Sequence, residues 1–182
     1  MKITKIDGIY IESAHKMKNV RLDDCDYPKA IGAMIGVCTD AIIIDRENRV
    51  FYFPHRSIKP MKGNWSVGGR RLPGESASEA VARNFKRETS VKIMPKRFQP
   101  TSIIEVIWKD RKEKPTNVGK HDLIHVFIIE LTKNELAKAT ANLCVTEYKT
   151  DSLESFDRKT MVTRKIHPAL LDIYDKVFPP ER

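Results

Sequence analysis

Gly68-Gly69-Arg70-Arg71-Leu72-Pro73-Gly74-Glu75 leads, through Ser76-Ala77-Ser78-Glu79, to Arg83-Asn84-Phe85-Lys86-Arg87-Glu88. The first part reads as a glycine-rich turn, because glycine permits backbone conformations and close approaches that a side chain blocks. Ser76 with Glu79 is a capping box, so a helix starts there. Its face carrying Val81 and Phe85, one turn apart, should enter the core. A helix start offers free amide donors and the positive end of a dipole, both suited to phosphate. Arg70 and Arg71 add positive charge beside the turn, and Glu75 and Glu88 are the acids placed to face it. Magnesium takes a few carboxylate or carbonyl oxygens, keeps waters and bridges to phosphate. Glycine turn, cap and spaced acids together supply the ingredients of a metal-diphosphate site.

Outward from this stretch, Ala41-Ile42-Ile43-Ile44 reads as a strand, Asp45-Arg46-Glu47-Asn48 as a turn and Val50-Phe51-Tyr52-Phe53 as the hairpin partner. Ala30 to Val37, apolar with two glycines, reads as a buried strand. Longer strands are expected over Ser102–Trp108 and Leu123–Leu131. The charged segment between them, containing Pro115 and Gly119, is expected as an exposed loop able to close over an anion. Thr132 with Glu135 is a second capping box, and a last helix begins near Pro168, with Leu171, Tyr174 and Phe178 packing it down. The first 28 residues read as an N-terminal extension and residues 29–182 as one domain. Interleaved strands and helices predict an α/β fold with a mixed sheet between helical layers.

The turn and helix resemble the Nudix box, in which a glycine, a glutamate, an arginine and a final glutamate cluster recur at fixed spacing. Gly69, Glu75, Arg83 and Glu88 take those places, and Phe85 and Val91 fill apolar ones. Asn84, Arg87 and Ser90 depart from the pattern, replacing two glutamates and the closing glycine. The resemblance implies a Nudix-type α/β/α sandwich and a hydrolase of nucleoside diphosphate derivatives using Mg2+. An arginine beside a multi-metal cluster is electrostatically unfavourable. One magnesium held by Glu88, with the Gly69 carbonyl and Glu75 as further contacts, is therefore expected.

Upstream, Phe51, Arg56, Pro60, Gly63, Trp65, Val67 and Gly68-Gly69-Arg70 are similar to the GDP-mannose mannosyl hydrolase branch of that superfamily, which also keeps only the last glutamate. The proline that usually precedes the double glycine is missing. Downstream, Gly119 and His125 resemble a glycine and histidine of the same branch, and the resemblance covers residues 30–150. It implies a GDP-sugar as substrate, water attacking the anomeric carbon, His125 as base with His121 as a substitute, and Arg56 and Arg70 on the diphosphate. Trp65 and Trp108 are candidates for base stacking, against the alternative of core packing. Loss of acids at Asn84 and Arg87 keeps open a catalytically impaired nucleotide-binding module, in which Arg87 contacts phosphate in place of a metal.

The formal charge of +9 over 182 residues suits an anionic partner. RNA is the weaker candidate, because no aromatics alternate with basic residues. No apolar run approaches the ~20 residues that span a bilayer, and no long apolar core marks a secretion signal. Cys25, Cys38 and Cys144 are an odd, widely spaced set, expected as free thiols and small core residues of a cytoplasmic protein. A homodimer is compatible with the sequence.

Overall fold

The computed structural model describes residues 3–6, 9–13, 17 and 20–179. Two short strands, β1 (Ile3–Ile6) and β2 (Ile9–Glu12), form a hairpin ahead of helix α1 (Asp26–Ala33). The main sheet uses β3 (Gly36–Asp45), β4 (Val50–Phe53), β7 (Val67–Arg70), β8 (Gln99–Trp108), β9 (Lys120–Glu130) and β10 (Glu154–Phe156). Between β4 and β7, the short strands β5 (His55–Arg56) and β6 (Gly63–Asn64) pair with each other. Helix α2 (Ala77–Thr89) follows the glycine turn, and α3 (Lys133–Ala141) follows β9. Helices α4 (Arg158–Thr163) and α5 (Pro168–Val177) complete the chain.

The sheet order is β10-β4-β3-β9-β8, with β7 also paired to β3. β3 and β9 run parallel while the other pairs are antiparallel, so the sheet is mixed. Alternation along β3 sorts its side chains to two sides. Ile42 and Ile44 join Phe51, Phe53, Trp65, Phe156, Leu170 and Tyr174 in a core under α4 and α5. Ala41 and Ile43 join Val67, Val81, Phe85 and Phe127 in a second core under α2. This is the α/β/α sandwich expected from the sequence. Both capping boxes are formed, at Ser76–Glu79 and Thr132–Glu135.

Three expectations need correction. Ala30–Val37 is not one strand: residues through Ala33 belong to α1 and the strand begins at Gly36. The Asp23 carboxylate accepts from the backbone N–H groups of Cys25 and Asp26, at 2.9 and 2.7 Å, which starts a helix before the apolar run. The segment between β8 and β9 is not merely solvated, since Arg111 is only 4% exposed. Its guanidinium donates to the carbonyls of Pro28, Pro115 and Lys114 at 3.1, 3.3 and 3.4 Å, tying the loop to α1. All three cysteines are free as expected, but Cys25 is exposed rather than a core residue.

β8 pairs only with β9 among the described residues, and so forms one edge of the sheet. Ile103 and Ile107 on it are 64% and 80% exposed, with Glu105 between them. Fully buried Phe51, in contrast, touches the rings of Phe53, Tyr174 and Phe178 at centroid distances of 5.9, 5.0 and 5.5 Å. Phe51→Ala is expected to lower the unfolding free energy by about 3–5 kcal/mol. Ile107→Ala should change it by only about 0.5 kcal/mol. Urea denaturation of the two variants beside the wild type measures the contrast.

Candidate functional site

The glycine turn, α1, the hairpin and the β8–β9 loop surround a cleft of about 1440 Å³. Gly68 and Gly69 lie on β7, opposite Asp40 and Thr39 of β3. A Cβ on Gly68 would fall 2.4 Å from the Thr39 carbonyl oxygen and 2.7 Å from the Asp40 Cα, so only glycine fits between the strands. Neither glycine has the positive φ that would by itself demand it; close packing does.

Helix α2 brings four polar side chains to β7. Arg83 grips both oxygens of Glu75, at 2.5 and 2.8 Å, and donates to the Arg70 carbonyl at 3.0 Å. Glu75 also accepts from the Leu72 backbone N–H at 3.0 Å. These donors hold its carboxyl below the usual range despite the opposing effect of burial, the largest single influence. Glu75 thus closes the turn. Asn84, fully buried, donates to the Gly69 carbonyl at 2.9 Å and to the Thr39 hydroxyl at 3.2 Å. The carbonyl expected to assist a metal is therefore engaged by the residue that replaced a glutamate.

Glu88 is 0% exposed. One carboxylate oxygen accepts from Arg87, through Nε at 3.0 Å and through Nη2. Arg87 Nη2 also donates to the Gly68 carbonyl at 3.3 Å. The other oxygen, Oε2, is buried without a hydrogen-bond partner. Burial, and then the nearby Glu147 carboxylate, push the Glu88 carboxyl above its ordinary range, against the pull of the Tyr148 hydroxyl and then of Arg87. Burial, followed by Glu88, likewise raises the phenol of Tyr148. Glu147 accepts from Arg56 at 3.2 Å and lines the cleft with it. Neither Glu147 nor Tyr148 carries a motif in the sequence, and only folding brings them beside Glu88.

This donor set does not fit the expected magnesium. Glu75 is closed by Arg83, the Gly69 carbonyl by Asn84, and one oxygen of Glu88 by Arg87. No group of three or more His, Cys, Asp or Glu side chains able to hold a metal ion occurs among the described residues. The guanidinium of Arg87 occupies one of the two carboxylate oxygens of Glu88.

His125 is not among the residues that line the cleft. Strand parity is the reason. Ile124 and Val126 join the core that includes Trp65 and Trp108, whereas Phe127 and Ile129 join the core under α2. His125 shares the side of Phe127, while the cleft is lined by Ile124. Burial and then Arg71 lower its pKa. His121 pairs with Glu105 at 3.1 Å and is also absent from the lining. Arg56 and Arg70 do line the cleft. Trp65 and Trp108 form part of its floor but are 2% and 8% exposed, so core packing prevails over base stacking. Their indole N–H groups donate to Asp40 and Asp122 at 2.9 and 2.8 Å. The Ser66 hydroxyl donates to Asp40 at 2.7 Å, yet burial still pushes that carboxyl up. Cys38 also lines the cleft, its thiol pushed up to about 12 by burial and then by Asp122 and Asp40.

The NUDIX domain family matches residues 34–170, and the chain belongs to that family. Family and fold define its class as a Nudix-type hydrolase. The fold is similar to the MutT NUDIX hydrolase of Burkholderia pseudomallei, at 16% identity and TM-score 0.58, over 79% of this chain and 98% of that one. It is also similar to a NUDIX hydrolase of Nitrosomonas europaea, at 15% identity and TM-score 0.53, over 79% and 88% of the two chains. A dihydroneopterin triphosphate pyrophosphohydrolase of E. coli shares the fold at 13% identity and TM-score 0.51, over 78% and 95%. No curated protein matches the chain in sequence. Nudix hydrolases generally use a divalent metal such as Mg2+ and act on nucleoside diphosphate derivatives. No helix among the described residues is long and apolar enough to cross a membrane.

The raised carboxyl of Glu88 links stability to pH. The folded chain keeps a proton at pH values where the unfolded chain has already lost it, so stability falls as pH rises from the ordinary carboxylate range through the raised one. Glu88→Gln removes that titration. The stability of the wild type relative to Glu88→Gln should therefore decline with rising pH and then level off, as measured by urea denaturation over about pH 4–8. Asp40 is present in both proteins and drops out of the difference.

Proposed function

We propose that this domain binds the diphosphate of a nucleoside diphosphate derivative in the cleft beside β7, with the Arg87 guanidinium standing in for a divalent cation. The observation that carries this reading is the position of Arg87. It is held from behind by buried Glu88 and from the side by the Gly68 carbonyl, while its side chain stays 48% exposed and lines the cleft. A guanidinium is permanently charged and presents several donors in one plane, which matches phosphate oxygens. Arg56 and Arg70 lie on the same walls, and Lys59, Lys112 and Lys120 add charge around them. Glu147 holds Arg56 in place. The three free cysteines agree with a cytoplasmic setting.

Magnesium-dependent hydrolysis of a GDP-sugar is the second reading, favoured by one observation. Glu88 Oε2 is left unengaged by Arg87, with the Tyr148 hydroxyl as its neighbour, and Glu147 is close enough to raise the carboxyl's pKa. Swinging Arg87 outward would leave these two acids for a cation. His125, outside the cleft lining, does not support anomeric attack from within it.

Calorimetric titration with GDP and GDP-mannose in the presence of EDTA is expected to show binding that added magnesium does not strengthen. Arg87→Ala should weaken it about tenfold or more, the scale of a lost charged hydrogen bond. Binding that vanishes in EDTA, with magnesium-driven release of reducing sugar that Glu88→Gln abolishes, would replace the first reading with the second.

A further inference from the structure

We infer that Tyr27, on a helix preceding the region matched to the family, is the platform on which the aromatic base of the nucleoside diphosphate stacks. The inference rests on the diphosphate reading above and extends it to the other end of the ligand. α1 ends at Ala33, one residue before the family match begins. Yet Tyr27, Ala30, Ile31 and Met34 line the cleft.

Stacking requires an accessible aromatic face. Trp65 and Trp108 do not offer it. Their rings pack edge to face at 5.3 Å, and His167 packs against Trp65 at 5.3 Å and Trp108 at 6.1 Å. Tyr27 is half-buried and belongs to a helix with no fully buried residue, so its ring is not consumed by a core. The Arg70 guanidinium lies over that ring at 5.2 Å. A guanidinium over a ring can keep its N–H groups available to other acceptors. Among the described residues these N–H groups donate no hydrogen bond to the protein. Arg70 is thereby placed between the two halves of a ligand, its N–H groups available to phosphate and its carbon centre beside an aromatic ring.

The helix is fixed by a device suited to a site wall. Arg111 donates to the Pro28 carbonyl, next in sequence to Tyr27, and its Nη1 lies 3.3 Å from where a Cβ on Gly32 would sit. Tyr10, on β2, lines the same cleft and is 67% exposed, with Lys5 Nζ at 5.2 Å over its ring. The segment ahead of the family match thus supplies the cleft with two accessible aromatic rings, each backed by a cation.

Titration of the full chain with GDP, ADP and inorganic pyrophosphate tests the assignment. Tyr27→Ala should weaken GDP and ADP about tenfold, the scale of one base–aromatic stack, and leave pyrophosphate within about twofold of wild type, near the error of such a titration. Tyr27→Phe should retain wild-type affinity for all three. An unchanged ratio of GDP to pyrophosphate affinity in Tyr27→Ala, with an unaltered thermal melt, overturns the stacking role and leaves the diphosphate reading intact. Failure of the wild type to bind any of the three probes overturns both.

Discussion

The ion pair between Arg87 and Glu88 governs the character of this site. A carboxylate with no solvent exposure is costly unless a charge meets it, and here the charge is supplied by its own neighbour on the helix. Everything around β7 follows the same logic. Nitrogen donors from α2 engage three of the groups beside it: Glu75 by Arg83, the Gly69 carbonyl by Asn84, the Gly68 carbonyl by Arg87. The site holds an organic cation, the Arg87 guanidinium, against its buried acid. Its architecture is that of a Nudix domain, with Asn84 and Arg87 at positions where the Nudix box it resembles has glutamates.

Much of the fold was legible because local signals agreed. Both capping boxes, the hairpin at residues 41–53 and the apolar spacing of the last helix each had one interpretation. Ala30–Val37 failed because a short apolar run carries no period of its own. The deciding residue, Asp23, lies ahead of the run and acts through two backbone N–H groups. The burial of Arg111 was illegible for a related reason: its partners are carbonyls, which every residue possesses.

At the site, the departures from the family pattern were readable, but their consequence was not. Adjacent helical residues point about 100° apart, so spacing alone argues against contact between Arg87 and Glu88. Contact arises because the long arginine side chain folds back along β7, which depends on where the strand lies. His125 illustrates the complementary difficulty. Its parity with Phe127 and Ile129 is plain from alternation, but which side of the sheet holds the cleft is a tertiary fact. Glu147 and Tyr148 could not be singled out, since their role comes from the loop after α3 passing beside α2, where the Cys144 N–H donates to the Glu88 carbonyl at 2.8 Å.

The β8 edge has a consequence of a different kind. Ten residues of strand expose one rim of backbone donors and acceptors, and two isoleucines on it face water. Such rims invite strands from other molecules. Here Pro100 removes one donor, the register shifts between Pro100 and Ser102, and the Glu105 carboxylate separates the isoleucines. The residues of the strand itself thus guard this margin against pairing with another copy.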